Sequence, residues 1–144
     1  VKNEDARTPP TRSGTQRRIA RVLIIDDERL FASVLQCVLS QDFEVVTLHT
    51  ASDALARLRA GEVYDLILCD VVMPSMDGVE FFERLSATKP SDSERVVFMS
   101  GGSFPPQVQA FFASIPNVLM AKPLHIPTLR TLIERRGFDE RAAG

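Results

Sequence analysis

The chain has 144 residues, 44% of them apolar and 25% charged, which suits one domain of ordinary size and excludes a disordered or collagen-like polymer. Two cysteines, Cys37 and Cys69, are too few for a disulfide scaffold or a cysteine-based zinc site. The net charge is −2 but unevenly spread: six basic against two acidic side chains give residues 1–21 a net +4, leaving −6 for the rest.

The apolar runs are short and no charged-then-apolar leader opens the chain, so a soluble, reducing, cytoplasmic setting is expected. Residues 1–19 contain Thr8-Pro9-Pro10-Thr11 and Ser13-Gly14-Thr15, with few large apolar side chains. A basic arm of this kind can touch nucleic acid or acidic lipid. Its composition fits a flexible, solvated linker better, because it cannot bury enough surface to order itself. Neither nucleic acid nor membrane contact is therefore expected of this segment. Val1 in place of a starting Met suggests a piece of a longer chain. Residues 20–136 read as the folded domain and residues 137–144 as a C-terminal tail.

Val22-Leu23-Ile24-Ile25 is an unbroken apolar run of strand length, as expected for a strand buried on both faces. Helical spacing follows at Leu30, Phe31, Val34, Leu35 and Val38. Glu44 to Leu48 is more polar, as an edge strand would be. Ala51, Ala54, Leu55 and Leu58 predict a second helix. Leu66-Ile67-Leu68-Cys69 is a second buried run, followed by Val79, Phe82 and Leu85 at helical spacing. Val96-Val97-Phe98-Met99 leads to Val108, Phe111, Phe112 and Ile115, opened by Pro105-Pro106. Val118-Leu119-Met120 reads as another strand buried on both faces, and Ile126, Leu129, Leu132 and Ile133 as the last helix. Strand then helix, five times over, predicts an α/β fold: a doubly wound, five-stranded parallel sheet with five helices.

Ligands of such sheets bind beyond the carboxyl ends of the strands. Strand one runs into Asp26-Asp27-Glu28, strand three into Asp70, strand four into Ser100, and strand five through Ala121 into Lys122-Pro123. Each group has an ordinary structural explanation: acids cap helices, and lysines sit on surfaces. Carboxylates gathered at one sheet edge repel, however. At ~4 Å and an effective dielectric of about 20, one pair costs about 4 kcal/mol. One ammonium cannot balance three carboxylates, so a cation is implied, and oxygen ligands without His or Cys favour Mg²⁺. Mg²⁺ with Lys122 would accommodate an incoming dianion, most simply a phosphoryl group. Ser100 would donate to it. No Cys or His is placed as the nucleophile, which leaves a carboxylate.

The words Val-Leu-Ile-Ile-Asp-Asp-Glu (22–28), Asp-Val-Val-Met-Pro-Ser-Met-Asp-Gly (70–78), Met-Ser-Gly-Gly (99–102) and Lys-Pro (122–123), in that order, resemble the response regulator receiver domains of two-component signalling. The resemblance covers residues 20–136. It implies a flavodoxin-like sheet of order 2-1-3-4-5 and a phosphoacceptor Asp70. It implies Mg²⁺ held by Asp26, Asp27, Asp70 and the backbone carbonyl of Val72. Lys122 would contact the phosphoryl group, Ser100 would be the switch hydroxyl, and Lys122-Pro123 would be a cis peptide. The implied partner is a histidine kinase or a histidine phosphotransfer domain, with homodimerisation available through the helix 4–strand 5–helix 5 face. Two departures stand out. Leu119 occupies the second switch position, where the family usually has an aromatic. Val72 and Gly102 stand where polar side chains tune phosphoryl loss, so slow self-dephosphorylation is expected.

The parent expected from the resemblance is a hybrid sensor histidine kinase with this receiver at its C-terminal end. A stand-alone single-domain regulator is the alternative. A Mg²⁺-dependent aspartyl phosphatase would want a second acid two residues after its nucleophile, and Val72 is there instead. A receiver used only for docking would not need the full set of site residues. Cys69 reads as a packed apolar residue, and His49 and His125 are given no role. Phe111 and Phe112, with Phe104 nearby, read as partly core and partly a candidate partner surface.

Overall fold

The computed structural model describes residues 18–143, with side chains described to residue 137. Five parallel strands, β1 (Arg21–Ile25), β2 (Glu44–Leu48), β3 (Leu66–Asp70), β4 (Val96–Ser100) and β5 (Leu119–Ala121), form one sheet of order β2-β1-β3-β4-β5. Around it lie α1 (Arg29–Leu39), α2 (Ala51–Arg59), α3 (Gly78–Thr88), α4 (Pro90–Ser93), α5 (Pro106–Ala113) and α6 (Ile126–Ala143). The order reverses at β1, so the crevice between β1 and β3 is the topological switch point.

The alternation of side chains along the central strands splits the core in two. Leu23, Ile25, Ile67, Cys69, Val96 and Phe98 face α2, α3 and the half-buried phenylalanines of α5. Val22, Ile24, Leu66, Leu68, Val97 and Met99 face α1 and α6. Each fully buried aliphatic side chain contributes roughly 1.5–3 kcal/mol, so the two layers fix the positions of the strand ends.

Among the described residues there are six helices where five were expected. Pro90 is the cause. Its ring disfavours helical backbone at Lys89 (φ −140°, ψ 74°), ends α3 at Thr88, and starts a fresh turn as the first residue of α4. β5 is also not buried on both faces. It is a three-residue edge strand beginning at Leu119, which is 40% exposed. The helix expected from residues 30–38 is α1, but its buried face is narrower than its apolar spacing. Ala32, Leu35 and Leu39 are its buried residues, whereas Leu30 and Val34 are 79% and 56% exposed.

Described structure extends past residues 20 and 136, the bounds expected for the domain. α6 continues through residues 137–143, expected as a tail. Arg18, assigned to the linker, makes a bidentate pair with buried Asp65 at 2.7 and 3.1 Å. The remainder of the predicted linker, residues 1–17, lies outside the described residues. No helix among the described residues is long and apolar enough to cross a membrane.

Candidate functional site

Asp70 is the last residue of β3 and Ser100 the last of β4, while Asp26 follows β1 and Lys122 follows β5. The parallel register therefore brings all four to one end of the sheet. The backbone closes the arrangement: the Lys122 amide donates to the Ser100 carbonyl at 2.8 Å, and the Asp26 amide to the Leu48 carbonyl at 3.1 Å. The Lys122–Pro123 peptide is cis.

Asp26, Asp27 and Asp70 each present a carboxylate oxygen within 4.8 Å of the others. Asp26 is fully buried and Asp70 nearly so, while Asp27 is exposed. The Asp26 carboxylate accepts from the Glu28 amide at 2.9 Å. Lys122 Nζ lies 2.9 Å from Asp26 Oδ2, 3.2 Å from Glu28 Oε1 and 3.6 Å from Asp70 Oδ2. Glu28 occupies the N-cap position of α1 but makes no side-chain cap, so its acid serves the lysine rather than the helix. Asp77, by contrast, caps α3 by accepting from the Glu80 amide at 2.9 Å.

The electrostatics are those of a crowded acid site. Burial, reinforced by the charge of Asp26, pushes the Asp70 carboxyl up to about 6, and Lys122 only partly opposes it. Burial works against the Lys122 ammonium, but the hydrogen bond to Asp26 and the charges of Asp70 and Asp26 outweigh it and hold the amine above its ordinary value. Three convergent oxygen donors with net negative charge suit a hard divalent cation of the Mg²⁺ type. The Ser100 hydroxyl donates to the Gly102 carbonyl at 3.1 Å and accepts the Gly102 amide at 3.3 Å. It is tied into its own loop rather than to an acid.

Asp70, Val72, Ser100, Gly102 and Lys122 line an open cavity of about 410 Å³. A second cavity of about 420 Å³ lies at the opposite end of the sheet, beside Arg18, Phe43 and Arg130. It is of similar size, and Asp42 and Glu134 line it, but among the described residues the three-acid cluster is at the first cavity, so the chemistry singles that one out. Cys69 is fully buried, and burial, with the charge of Asp70 next, raises its thiol far above the ordinary range. It is a packing residue. Leu119 pairs with Phe98 across β4 and β5. Phe111 and Phe112 pack edge-on against Phe98, with centroids 6.5 and 5.0 Å away, so both belong to the core layer. Phe104 stacks on Phe112 at 5.3 Å and also lines the acid cavity.

Phe31 and Glu28 are the site residues that sequence reasoning missed. The Phe31 ring lies under Lys122 Nζ, with its centroid 4.3 Å away. Its position in an apolar periodic helix gave no hint of this. Glu28 was visible as the third acid after β1, but nothing local showed that it would turn to the lysine.

A family model for the response regulator receiver domain matches residues 22–134. The chain belongs to that family. Among curated relatives it is 30% identical to the transcriptional regulatory protein ZraR of Salmonella typhimurium over 124 residues, 85% of this chain and 27% of the relative. It is 38% identical over 76 residues to a protein-glutamate methylesterase/protein-glutamine glutaminase of Bradyrhizobium diazoefficiens, covering 51% of this chain and 21% of that protein. The chain thus spans only about a quarter of these relatives' length. Chemotaxis protein CheY4 of Vibrio cholerae superposes with a TM-score of 0.68 at 26% identity, covering 82% of this chain and 98% of that one. The receiver domain of Francisella response regulator 1452 shares the fold at 18% identity, with a TM-score of 0.67 over 84% of this chain and 98% of that one.

Proposed function

We propose that this receiver accepts a phosphoryl group on Asp70 from the phosphohistidine of a histidine kinase or histidine phosphotransfer domain. The observation that carries the reading is the convergence of Asp26, Asp27 and Asp70 on one point, with Lys122 Nζ 3.6 Å from Asp70. An Asp70 carboxylate oxygen attacks phosphorus. The P–N bond breaks and its electron pair stays on the imidazole, leaving an acyl phosphate. Lys122 offsets the anionic oxygens as they crowd against the acids.

Mg²⁺ would be held by Asp26, Asp27, Asp70 and the backbone carbonyl of Val72. When bound, it supplies charge neutralisation to the phosphoryl oxygens. Ser100 is the switch hydroxyl in this reading. To donate to a phosphoryl oxygen it must release the Gly102 carbonyl, which couples the modification to the loop leading into α5. Leu119 repacks at the edge of the sheet in place of an aromatic. The exposed Val118 and Leu119, with Val118 beside Thr128 and Leu132 of α6, support a homodimer through the α5–β5–α6 face.

The parent protein, in this proposal, is a hybrid sensor histidine kinase. The small share of the relatives' length that the chain spans is compatible with a receiver that works as one part of a larger protein. A stand-alone regulator is the second reading, supported by the near-complete coverage of CheY4. An aspartyl phosphatase is disfavoured because Val72, 71% exposed at the cavity, carries no carboxylate.

The test is incubation of the chain with Mg²⁺ and phosphoramidate, followed by intact-mass measurement. One phosphoryl group is expected, absent in Asp70→Asn and after chelation of Mg²⁺. Labelling that survives Asp70→Asn would overturn the assignment. Turnover of p-nitrophenyl phosphate would favour the phosphatase instead.

A further inference from the structure

We propose that Phe31 is a positioning residue for Lys122, holding its ammonium at the acid cavity within reach of Asp70. The inference rests on the reading of Asp70 as phosphoacceptor and deepens it. A lysine carries its charge at the end of a flexible four-carbon stem, so its placement needs enforcement. Here the side chain is only 13% exposed, and three acids approach the ammonium. Asp26, at 2.9 Å and fully buried, is a firm anchor. Glu28, at 3.2 Å, has a side chain that is 66% exposed, so water screens that tie. Asp70, at 3.6 Å, is the group the amine must serve.

A further side of the ammonium is closed by the Phe31 ring. A centroid distance of 4.3 Å is well inside the range of cation–π attraction. The ring is itself held, because Phe31 packs against the buried cluster formed by α1, α6 and one face of the sheet. It attracts the cation without offering a lone pair that would compete with Asp70 or with a phosphoryl oxygen. It also keeps water from that side, so the lysine's charge is less screened toward the acids. An aliphatic residue would fill the space and exclude water but would lack the quadrupole that attracts the amine. Phe31 thus acts through Lys122, without touching the reacting atoms.

The experiment uses the 144-residue chain with phosphoramidate and saturating Mg²⁺. In that reaction Asp70 attacks phosphorus, the P–N bond breaks, and nitrogen leaves as ammonia with the bonding pair. Phe31→Leu is expected to slow the phosphorylation rate constant by about 3- to 10-fold, leaving the Mg²⁺ concentration for half-saturation unchanged. Phe31→Tyr, which keeps the ring, should retain most of the rate. On a Lys122→Met background, Phe31→Leu should change nothing further. Equal slowing by Phe31→Leu on both backgrounds, or no slowing with Lys122 present, overturns the proposal. A second readout does not need phosphorylation. In the unmodified protein the Lys122 ε-methylene protons should show an upfield ring-current shift that Phe31→Leu removes. If the wild-type chain takes no phosphoryl group, the phosphoacceptor reading fails, and this shift alone decides the placement: its absence overturns it.

Discussion

Gly78 stands against the carbonyl of Asp70: a side-chain carbon at position 78 would lie 2.6 Å from that oxygen and 2.9 Å from the Cα of Val71. Both neighbours are backbone at the carboxyl end of β3, and the Gly78 amide donates to the Val71 carbonyl at 2.8 Å. The start of α3 is therefore pressed onto the segment that aims the candidate phosphoacceptor. Gly78→Ala must push that segment aside, at a cost of about 1–3 kcal/mol typical of overpacking. Chemical denaturation should show the loss, and phosphorylation of Asp70 should slow. Gly102→Ala is the control, since an added carbon there meets nothing within 4 Å. A Gly78→Ala protein as stable as that control would remove the steric argument.

Asp70 makes the metal-free protein sensitive to pH in an unusual direction. Burial, followed by the charge of Asp26, raises its carboxyl from an ordinary 3.8 to about 6. Between those values the native state binds more protons than the unfolded state, so stability falls as pH rises through the window. The burden is fully present above it. Asp70→Asn should therefore raise the thermal midpoint at about pH 7.5 in chelator, with the advantage shrinking toward zero near pH 4. Added Mg²⁺ should stabilise the wild-type chain more than the variant, by mass action on the ionised acids. A variant advantage that grows on acidification would contradict the assigned direction.

Arg18 ties the segment ahead of β1 to the loop before β3. Asp65 has a side chain only 3% exposed and accepts two hydrogen bonds from Arg18 and one, at 2.7 Å, from the Arg21 amide. Burial alone would raise this carboxyl, but those bonds, with the charge of Arg18, hold it below its ordinary value. Arg18→Ala leaves a buried carboxylate poorly compensated. A loss of about 1–3 kcal/mol is expected at neutral pH, less than for a fully enclosed pair because Arg18 itself is 44% exposed. A depressed carboxyl contributes its stability above the unfolded value and loses it as pH falls through the folded one. The penalty of Arg18→Ala should thus fade below about pH 3.8, the ordinary value, and a penalty undiminished in strong acid would argue against a carboxylate pair.

The convergence of Asp26, Asp70, Ser100 and Lys122 was legible because buried parallel strands are plain apolar runs whose ends must share one edge, whereas the strand order came only from the resemblance to receiver domains. What escaped was decided by tertiary context. Val118-Leu119-Met120 has the composition of a central strand, but the sheet ends there and leaves it half exposed. Leu30 and Val34 share helical spacing with Leu35, yet small Ala32 lies against the sheet while they face outward. Arg18 reads as one more charge in a basic arm, because its partner lies 47 positions away. Phe31 reads as core for a comparable reason: the lysine above its ring arrives from the far end of the fold, 94 positions beyond Glu28.

Gly102 and Val72 bear on how long a phosphoryl group persists. Both line the acid cavity, and neither has a polar side chain to orient an attacking water. The Asp70 acyl phosphate should therefore decay over minutes or longer in Mg²⁺ buffer. Gly102 is the better place to alter this. An added side-chain carbon meets no atom within 4 Å and the backbone conformation is an ordinary one, while the Ser100 hydroxyl contacts only its backbone. Gly102→Asn can thus add an amide over the cavity without moving the Ser100 hydroxyl. A positioned general acid or base contributes about 10²–10⁴-fold, and an amide that only orients water contributes less, so a several-fold faster loss is expected. The check is the decay of the phosphorylated mass after donor removal, in wild type, Gly102→Asn and Gly102→Ala. Acceleration by Asn but not by Ala supports water positioning. Equal acceleration by both assigns the effect to the loop backbone, and a wild-type half-life of seconds shows that the empty positions do not protect the acyl phosphate.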